Sequence, residues 1–324
     1  MKRAAAALAA IALAAIALAA CSAPTEHYTA EYYDVFDTYT VIVSYGSPVP
    51  PELHDELLRL HKLFDSFNAY PDLVNVKSIN AAGGRELPAP AELLELLSLN
   101  VSFDQKSGGT TNVALGSVTA LWKSAQETRT LPDESTLRNA LTHTDSGGIY
   151  IDRSRWTERE ILESPIALTD PAASLDFGAS AKGYAVNAAG KLADSLGFVG
   201  TITVGGCVWT SKRMPEGKSV WTIAIQDPDG GIYQTIELLP GQSAETSGDY
   251  ERYFELDGVR YHHIINPRTG YPSRQTDASG KALRSVTVVC EDTVSADLLA
   301  TAMFVEREDA LLAEYGAHAY WIYG

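Results

Sequence analysis

The sequence predicts an α+β domain, and three observations carry that reading. Apolar residues fall at helical spacing early in the chain, at Leu53, Leu57, Leu60, Leu63, Phe64 and Phe67. Short β-rich runs separated by glycine-bearing turns recur through the second half, at 199–205, 220–226, 233–238, 251–256 and 283–290. Two helical stretches, about 180–196 and 293–304, interrupt those runs.

Taken in order, residues 22–32 are polar and read as a tether. Residues 35–45 (VFDTYTVIVSY) alternate β-forming side chains and predict a first strand. Pro50 and Pro51 then open the first helix. A second helix starts after Pro88-Ala89-Pro90 and runs through AELLELLSLNVSFDQKS to Gly108-Gly109. Further helices are expected near 116–127, 133–142 and 307–315. There is no internal repeat, low-complexity linker or heptad run, and 324 residues allow one large domain or two intimate ones around a sizeable core.

With 45% hydrophobic and 20% charged residues the chain is globular in composition, and its net charge of −16 argues against a nucleic-acid partner, which needs a basic surface. An anionic substrate would require a local remedy, either a metal ion or a few well-placed cations. At the N-terminus, Lys2 and Arg3 precede an Ala/Leu/Ile run over 4–20, short and alanine-rich for a membrane span, and then Cys21-Ser22-Ala23-Pro24. This is the pattern of a secretory signal. Leu18-Ala19-Ala20-Cys21 resembles the bacterial lipoprotein box, in which the cysteine is lipidated and becomes the first residue of the mature chain. The expected layout is a signal over 1–20, a tether over 21–32 and a domain over 33–324, anchored to the outer side of the cell membrane through Cys21. Of the remaining cysteines, Cys207 and Cys290 both follow apolar runs; a disulfide is permitted outside the cytoplasm, and buried free thiols are at least as well supported.

Four segments carry chemistry. In 175–187 (LDFGASAKGYAVN) a short strand is expected to end at Asp176, pass a small-residue turn at Gly178-Ala179-Ser180 and enter a helix at Lys182-Gly183-Tyr184. Such a turn either serves the fold alone or offers free helix N–H groups to a phosphate. Val204-Gly205-Gly206 reads as a strand ending in a bulge or turn. Residues 245–252 (ETSGDYER) offer a Thr-Ser-Gly turn, and 262–272 (HHIINPRTGYP) place histidines beside a rigid loop, as a general base or as a hydrogen-bonded strut. In 293–304, Asp297 and Thr301 are four apart and share one face of a helix, a hard-oxygen pair suited to Mg²⁺ or arising by chance. A phosphate-binding P-loop, a His-Glu-x-x-His zinc motif and a Gly-x-Ser-x-Gly elbow are all absent from the sequence.

Taken together, the segments resemble the ApbE family of FAD:protein FMN transferases. The resemblance rests on FDSFNAY (64–70) running to Ser78-Ile79-Asn80, SGGTTNVALG (107–116), LDFGASAKGYAVN, VGGCV, TSGDYER, HHIINPRTGYP and SVTVVCEDTVSADLLATAMF (285–304), in that order. It implies a single domain of two intimate α/β subdomains with the flavin site between them. It also implies a reaction in which FAD binds with Mg²⁺ at its pyrophosphate, a Thr or Ser hydroxyl of an acceptor protein attacks the FMN phosphorus, and AMP leaves. By position, Asp297, Thr301 and the carbonyl of Ala179 match the family's magnesium ligands. Asp176, Lys182, Tyr70, Phe36 and Asn112 match FAD-contacting positions, and His263 matches the proposed base. The implied acceptor is a subunit of a membrane-associated redox complex. Asn266 stands where Asp is usual, Ser180 where Ile is usual, and Cys207 where Asp or Asn often follows the two glycines. The same residues also suit an FAD pyrophosphatase or a non-enzymatic flavin-binding lipoprotein.

Overall fold

The structure is a computed structural model that describes residues 26–158 and 160–324; the signal segment, Cys21 and the start of the tether lie outside the described residues. The chain opens with a hairpin of β1 (His27–Val35) and β2 (Thr38–Tyr45). This corrects two expectations. The stretch read as tether is already strand from His27, and the single strand expected over 35–45 is the end of one strand and all of the next. The polarity that suggested a tether is that of an edge strand, with Thr29 and Glu31 exposed and Tyr28, Ala30 and Tyr32 turned partly inward. The two-residue turn gave no warning because Phe36 and Asp37 occupy it with φ of 51° and 52°, a left-handed geometry that usually recruits Asn-Gly.

Next come α1 (Pro51–Phe64), α2 (Val76–Asn80), β3 (Leu87–Ala89), α3 (Ala91–Lys106), α4 (Gly116–Thr128) and α5 (Glu134–Leu141). Proline at the first turn starts α1, and its leucine stripe at 53, 57, 60 and 63 is buried. The helix stops at Asp65, so Phe67 lies beyond it and is exposed. β4 (Ile149–Ile151) and β5 (Ser164–Leu168) join β3 in a three-stranded sheet of order β3-β5-β4. No strand leads to Asp176: residues 175–180 are irregular, tied by a bridge between Leu115 and Ser174.

The second half holds α6 (Ala181–Ser195), β6 (Gly200–Val204), β7 (Cys207–Thr210), β8 (Trp221–Gln226), β9 (Ile232–Leu238), β10 (Ser243–Gly248), β11 (Tyr253–Leu256), β12 (Val259–His262), β13 (Leu283–Cys290), α7 (Thr293–Val305), α8 (Asp309–Glu314) and β14 (His318–Tyr323). Thr246-Ser247-Gly248, expected as a turn, is the end of β10. Seven strands form an antiparallel sheet of order β1-β2-β6-β7-β10-β13-β14. One face, carrying Ile42, Ile202, Val204, Cys207, Trp209, Val286 and Val288, packs under α1, α6 and α7 in the main core. The other face meets the β8–β9 ribbon through Trp221, Ile225, Ile236 and Leu238. Cover on both faces explains why the central strands read as continuous apolar runs.

Between sheet and α1, the helices α6 and α7 approach closely. α7 is apolar almost all round and buried on nearly every side, as expected of a helix sandwiched in a core. α6 carries Ala181, Gly183, Ala185, Ala189, Gly190 and Ala193 inward. A Cβ on Gly190 would lie 2.5 Å from the Trp209 indole nitrogen, so that close seat exists only for glycine. A separate small core joins α4 and α5 to the β11–β12 hairpin through Val118, Trp122, Leu137, Phe254 and Ile265. Cys207 and Cys290 are buried and free.

Candidate active site

A cavity of about 420 Å³ opens between the main core and the small α4–α5 core, within the range of sites that take small organic ligands. Its wall mixes aromatic rings (Phe36, Phe64, Phe67, Trp122, Phe177, Phe254, Tyr261) with hydroxyls and charged groups. Carboxylates outnumber fixed cations there: Asp37, Asp65, Asp176, Glu245 and Glu251 against Lys123, Lys182 and Arg252. An anionic ligand in such a place needs help from a further cation.

The floor is the start of α6, where Ala179, Ala181 and Lys182 line the wall. Asp176 shapes the approach, its Oδ1 accepting from the Gly178 N–H at 2.7 Å and its Oδ2 from Thr119 Oγ at 2.5 Å. Asn112 performs a similar service, its Oδ1 accepting from Ala114 N–H and its amide donating to the Thr144 carbonyl. Ser180, the residue before α6, is fully buried and paired with Asn100 of α3 by two hydrogen bonds of 2.8 and 3.1 Å. That polar pairing accounts for a serine in a place otherwise suited to an aliphatic side chain.

Behind the wall, Lys182 Nζ donates to Asp297 Oδ1 at 3.0 Å and to Glu245 Oε1 at 3.1 Å. Asp297 Oδ2 accepts from the Gly183 N–H at 2.8 Å. Asp297 and Glu245 are each only 1% exposed. Burial works against the charge on Lys182, but the two carboxylates outweigh it and hold the amine protonated; burial in turn pushes the Glu245 carboxyl upward. One turn along α7 from Asp297, Thr301 faces the cavity, as does Ala179. Among the described residues no group of three or more His, Cys, Asp or Glu stands ready to cage a metal. A sparse hard-oxygen set of this kind fits Mg²⁺, which keeps water and substrate oxygens among its ligands.

Gly183 is the contact point of the two helices. A Cβ there would lie 2.6 Å from the Thr293 carbonyl oxygen and 2.7 Å from the Asp297 Cβ. Gly183→Ala is therefore expected to push α6 off α7, at about 1–3 kcal/mol for overpacking, and to carry Asp297 with it. Thermal melting should drop by several degrees and ligand affinity should fall; an unchanged melting curve would refute the close-contact argument.

The two neighbouring histidines have different surroundings. His262, at the end of β12, is buried with both ring nitrogens engaged: Nε2 faces the Ser273 carbonyl at 2.8 Å and Nδ1 accepts from Ile264 N–H. His263 faces the cavity, and its Nδ1 lies 3.2 Å from the Arg252 carbonyl. A carbonyl can only accept, so Nδ1 carries the proton and Nε2 is left with its lone pair. Burial first, then the charge of Arg252, hold the His263 pKa well below the usual 6.5. Asn266 does not orient this ring; its side-chain oxygen caps its own turn through Arg268 N–H, and Trp122 fastens the loop by donating to the Gly270 carbonyl at 2.6 Å.

Of the residues picked out by sequence, Phe36, Asn112, Asp176, Ala179, Lys182, His263 and Thr301 meet on one cavity. Asp297 stands one layer back, in contact with Lys182. Tyr70 lies outside the wall; its hydroxyl donates to Asp65 at 2.7 Å, and the exposed aromatic of that loop at the cavity is Phe67, capped by Lys123. Cys21 is outside the described residues. Sequence reasoning passed over His61 and Glu245. His61 accepts from the Phe36 N–H at 3.1 Å and packs edge-on against its ring, holding the strained turn at the cavity. Glu245 stood just before the expected Thr-Ser-Gly turn with no role assigned, and only its strand register, directly opposite Cys207, reveals that it belongs to the core-facing row.

Comparison with known proteins agrees with this architecture. A model of the ApbE family matches residues 33–321. A Treponema pallidum protein named FAD:protein FMN transferase is 31% identical over 308 residues, covering 89% of this chain and 83% of the relative. A Klebsiella pneumoniae protein of the same name is 31% identical over 285 residues, 83% of each. Among solved structures, the ApbE protein of Thermotoga maritima superposes with a TM-score of 0.78 at 28% identity, over 92% of this chain and 94% of that one. The apo form of the Pseudomonas stutzeri flavinyl transferase ApbE gives 0.73 at 27% identity, over 93% and 91%.

Proposed function

The chain belongs to the ApbE family, and from that premise we propose that it is an FAD:protein FMN transferase which attaches FMN from FAD to a Thr or Ser of an acceptor protein and releases AMP. The observation that carries this reading is the meeting, on one cavity, of a base-ready His263 with the Lys182 end of α6 and the Thr301 hydroxyl.

In this reading the aromatic walls take the isoalloxazine and the start of α6 takes the pyrophosphate, where the positive end of the helix dipole and Lys182 offset part of its charge. Asp297, Thr301 and the Ala179 carbonyl would hold Mg²⁺, which neutralises charge on the transferring phosphoryl group when bound. His263 Nε2 takes the proton of the acceptor hydroxyl as its oxygen bonds to the FMN phosphorus. The bond from that phosphorus to the bridging oxygen breaks, and AMP departs with the oxygen and the electron pair. Most of the acceleration in such transfers comes from positioning and charge neutralisation. Arg252 contributes by fixing the tautomer of His263 through its carbonyl. The lipoprotein box at Cys21 supports a membrane-anchored location on the extracytoplasmic side, where a redox-complex subunit is the acceptor.

The test is product analysis of the purified mature protein with FAD and Mg²⁺, with and without an acceptor. Flavin fluorescence that stays on the denatured acceptor, together with stoichiometric AMP, is the expected result, and chelator should abolish both. Free FMN and AMP without labelling would instead identify a pyrophosphatase, and flavin binding with no turnover would identify a carrier.

A further inference from the structure

We propose that Glu245 is the positioning residue that draws Lys182 off Asp297 and so frees Asp297 for a divalent cation; this rests on the reading of Asp297 as a cation ligand. In the structure both Asp297 oxygens are taken, Oδ1 by Lys182 and Oδ2 by Gly183 N–H. An ammonium on Oδ1 and a divalent cation on the same oxygen exclude each other by charge. Lys182 has little way out, because its side chain is only 17% exposed. The acceptor within its reach is Glu245, whose Oε1 it already touches at 3.1 Å. The second oxygen of Glu245, Oε2, is buried without a nitrogen or oxygen donor, and the weakly donating thiol of Cys207, opposite it on β7, is the other group beside the carboxyl.

A role in stability alone does not account for this carboxylate. Glu245 lies on the helix-facing row of the sheet, directly between Cys207 of β7 and Val288 of β13, both in the main core. Asp297 by itself balances Lys182, so Glu245 adds a second carboxyl group and an under-bonded oxygen to a dry place, each of them unfavourable. Both features become useful in an exchange. Lys182 swings from its shared position to a full contact with the two Glu245 oxygens, and Asp297 Oδ1 turns to the cation. No covalent bond between heavy atoms is made or broken.

The experiment uses Mn²⁺ alone, without FAD, titrated into the purified chain and followed by electron paramagnetic resonance. Glu245→Gln keeps the shape of the side chain but gives Lys182 a neutral partner, and is expected to weaken Mn²⁺ binding at least about tenfold, the usual scale for groups that support a metal ligand. Lys182→Met removes the competitor and should bind Mn²⁺ at least as tightly as the unsubstituted protein. The double variant Glu245→Gln/Lys182→Met should regain the unsubstituted affinity. Unchanged binding in Glu245→Gln would overturn the proposal. Weak binding that Lys182→Met fails to rescue would also overturn it, because Glu245 would then be a direct ligand. If the double variant does not fold, Lys182→Met alone still decides, since weaker binding there contradicts competition. Failure of the unsubstituted protein to bind Mn²⁺ would instead remove the premise, and shows before any substitution is made.

Discussion

Asp297→Asn is expected to cut FMN transfer and AMP release by about 10³-fold or more, the scale of a lost charge-stabilising group worth some 4 kcal/mol, while the protein stays folded. The fold survives because Lys182 has two carboxylate partners, Asp297 and Glu245. Removing one partner of a buried ion pair usually costs several kcal/mol because the other charge is stranded. Here Lys182 keeps Glu245 at 3.1 Å, so the substitution leaves one positive and one negative charge. The isosteric amide still accepts from Gly183 N–H through its oxygen, which preserves the contact between α6 and α7. The discriminating measurement pairs turnover with a thermal melt. A variant as active as the parent would sink the cation-ligand reading, whereas a variant that unfolds would show that Asp297 serves the fold first.

His263→Ala is expected to lower acceptor labelling by about 10²–10⁴-fold, the usual range for a general base, with FAD affinity little changed. The ring makes its bond to protein through Nδ1 and the Arg252 carbonyl, and the backbone N–H of His263 bonds the same carbonyl independently, so truncation leaves the β-segment anchored. The parent protein should also show a characteristic pH profile. Because burial depresses the His263 pKa, the neutral, proton-accepting form persists as pH falls through about 6.5, where an ordinary histidine is half protonated. The acid limb of the rate profile therefore lies below that value, and labelling at pH 6 should remain close to its level at pH 7. A limb centred at or above the ordinary value would contradict the desolvated environment. An unaltered rate in His263→Ala would transfer the role of base elsewhere.

Much of this molecule is legible from composition and spacing, for identifiable reasons. The leucine stripe of α1, the proline-started α3 and the apolar runs of β6 and β13 are local signals; α3, β6 and β13 lie within a residue or two of where the pattern places them, and α1 ends three residues short of Phe67. What escaped was non-local. The Phe36-Asp37 turn breaks turn chemistry because His61, 25 residues away, holds it. β10 carries a hydroxyl-rich Glu-Thr-Ser-Gly sequence that resembles a turn, yet pairing with β7 and β13 on both sides makes it a central strand. The site shows the same division. Helical spacing alone puts Asp297 and Thr301 on one face of α7, while their match to magnesium ligands came from the family resemblance. Tyr70 was matched to a flavin-contacting aromatic by position in a motif; in the structure its hydroxyl donates to Asp65, which lines the cavity, while Tyr70 itself does not. Glu245 carried no pattern of its own, since its importance arises only where strand register sets it beside Lys182. Asn266, the most conspicuous departure within the family motifs, proves to be a turn cap whose oxygen serves as well from an amide as from a carboxylate.

The early start of β1 sets a mechanical limit. Its first residue, His27, comes six positions after Cys21, and six extended residues span at most roughly 20 Å. With the anchor proposed at Cys21, the enzyme is on a short leash: β1 is held against the sheet throughout and adds no slack. The strand itself then acts as a ruler. Nine residues at about 3.4 Å each carry the chain about 30 Å to the Phe36-Asp37 tip at the cavity. On the proposed anchor, substrate proteins would have to present their hydroxyl within a shell no more than about 50 Å from the bilayer surface, a selection of partners by height above the membrane as well as by sequence.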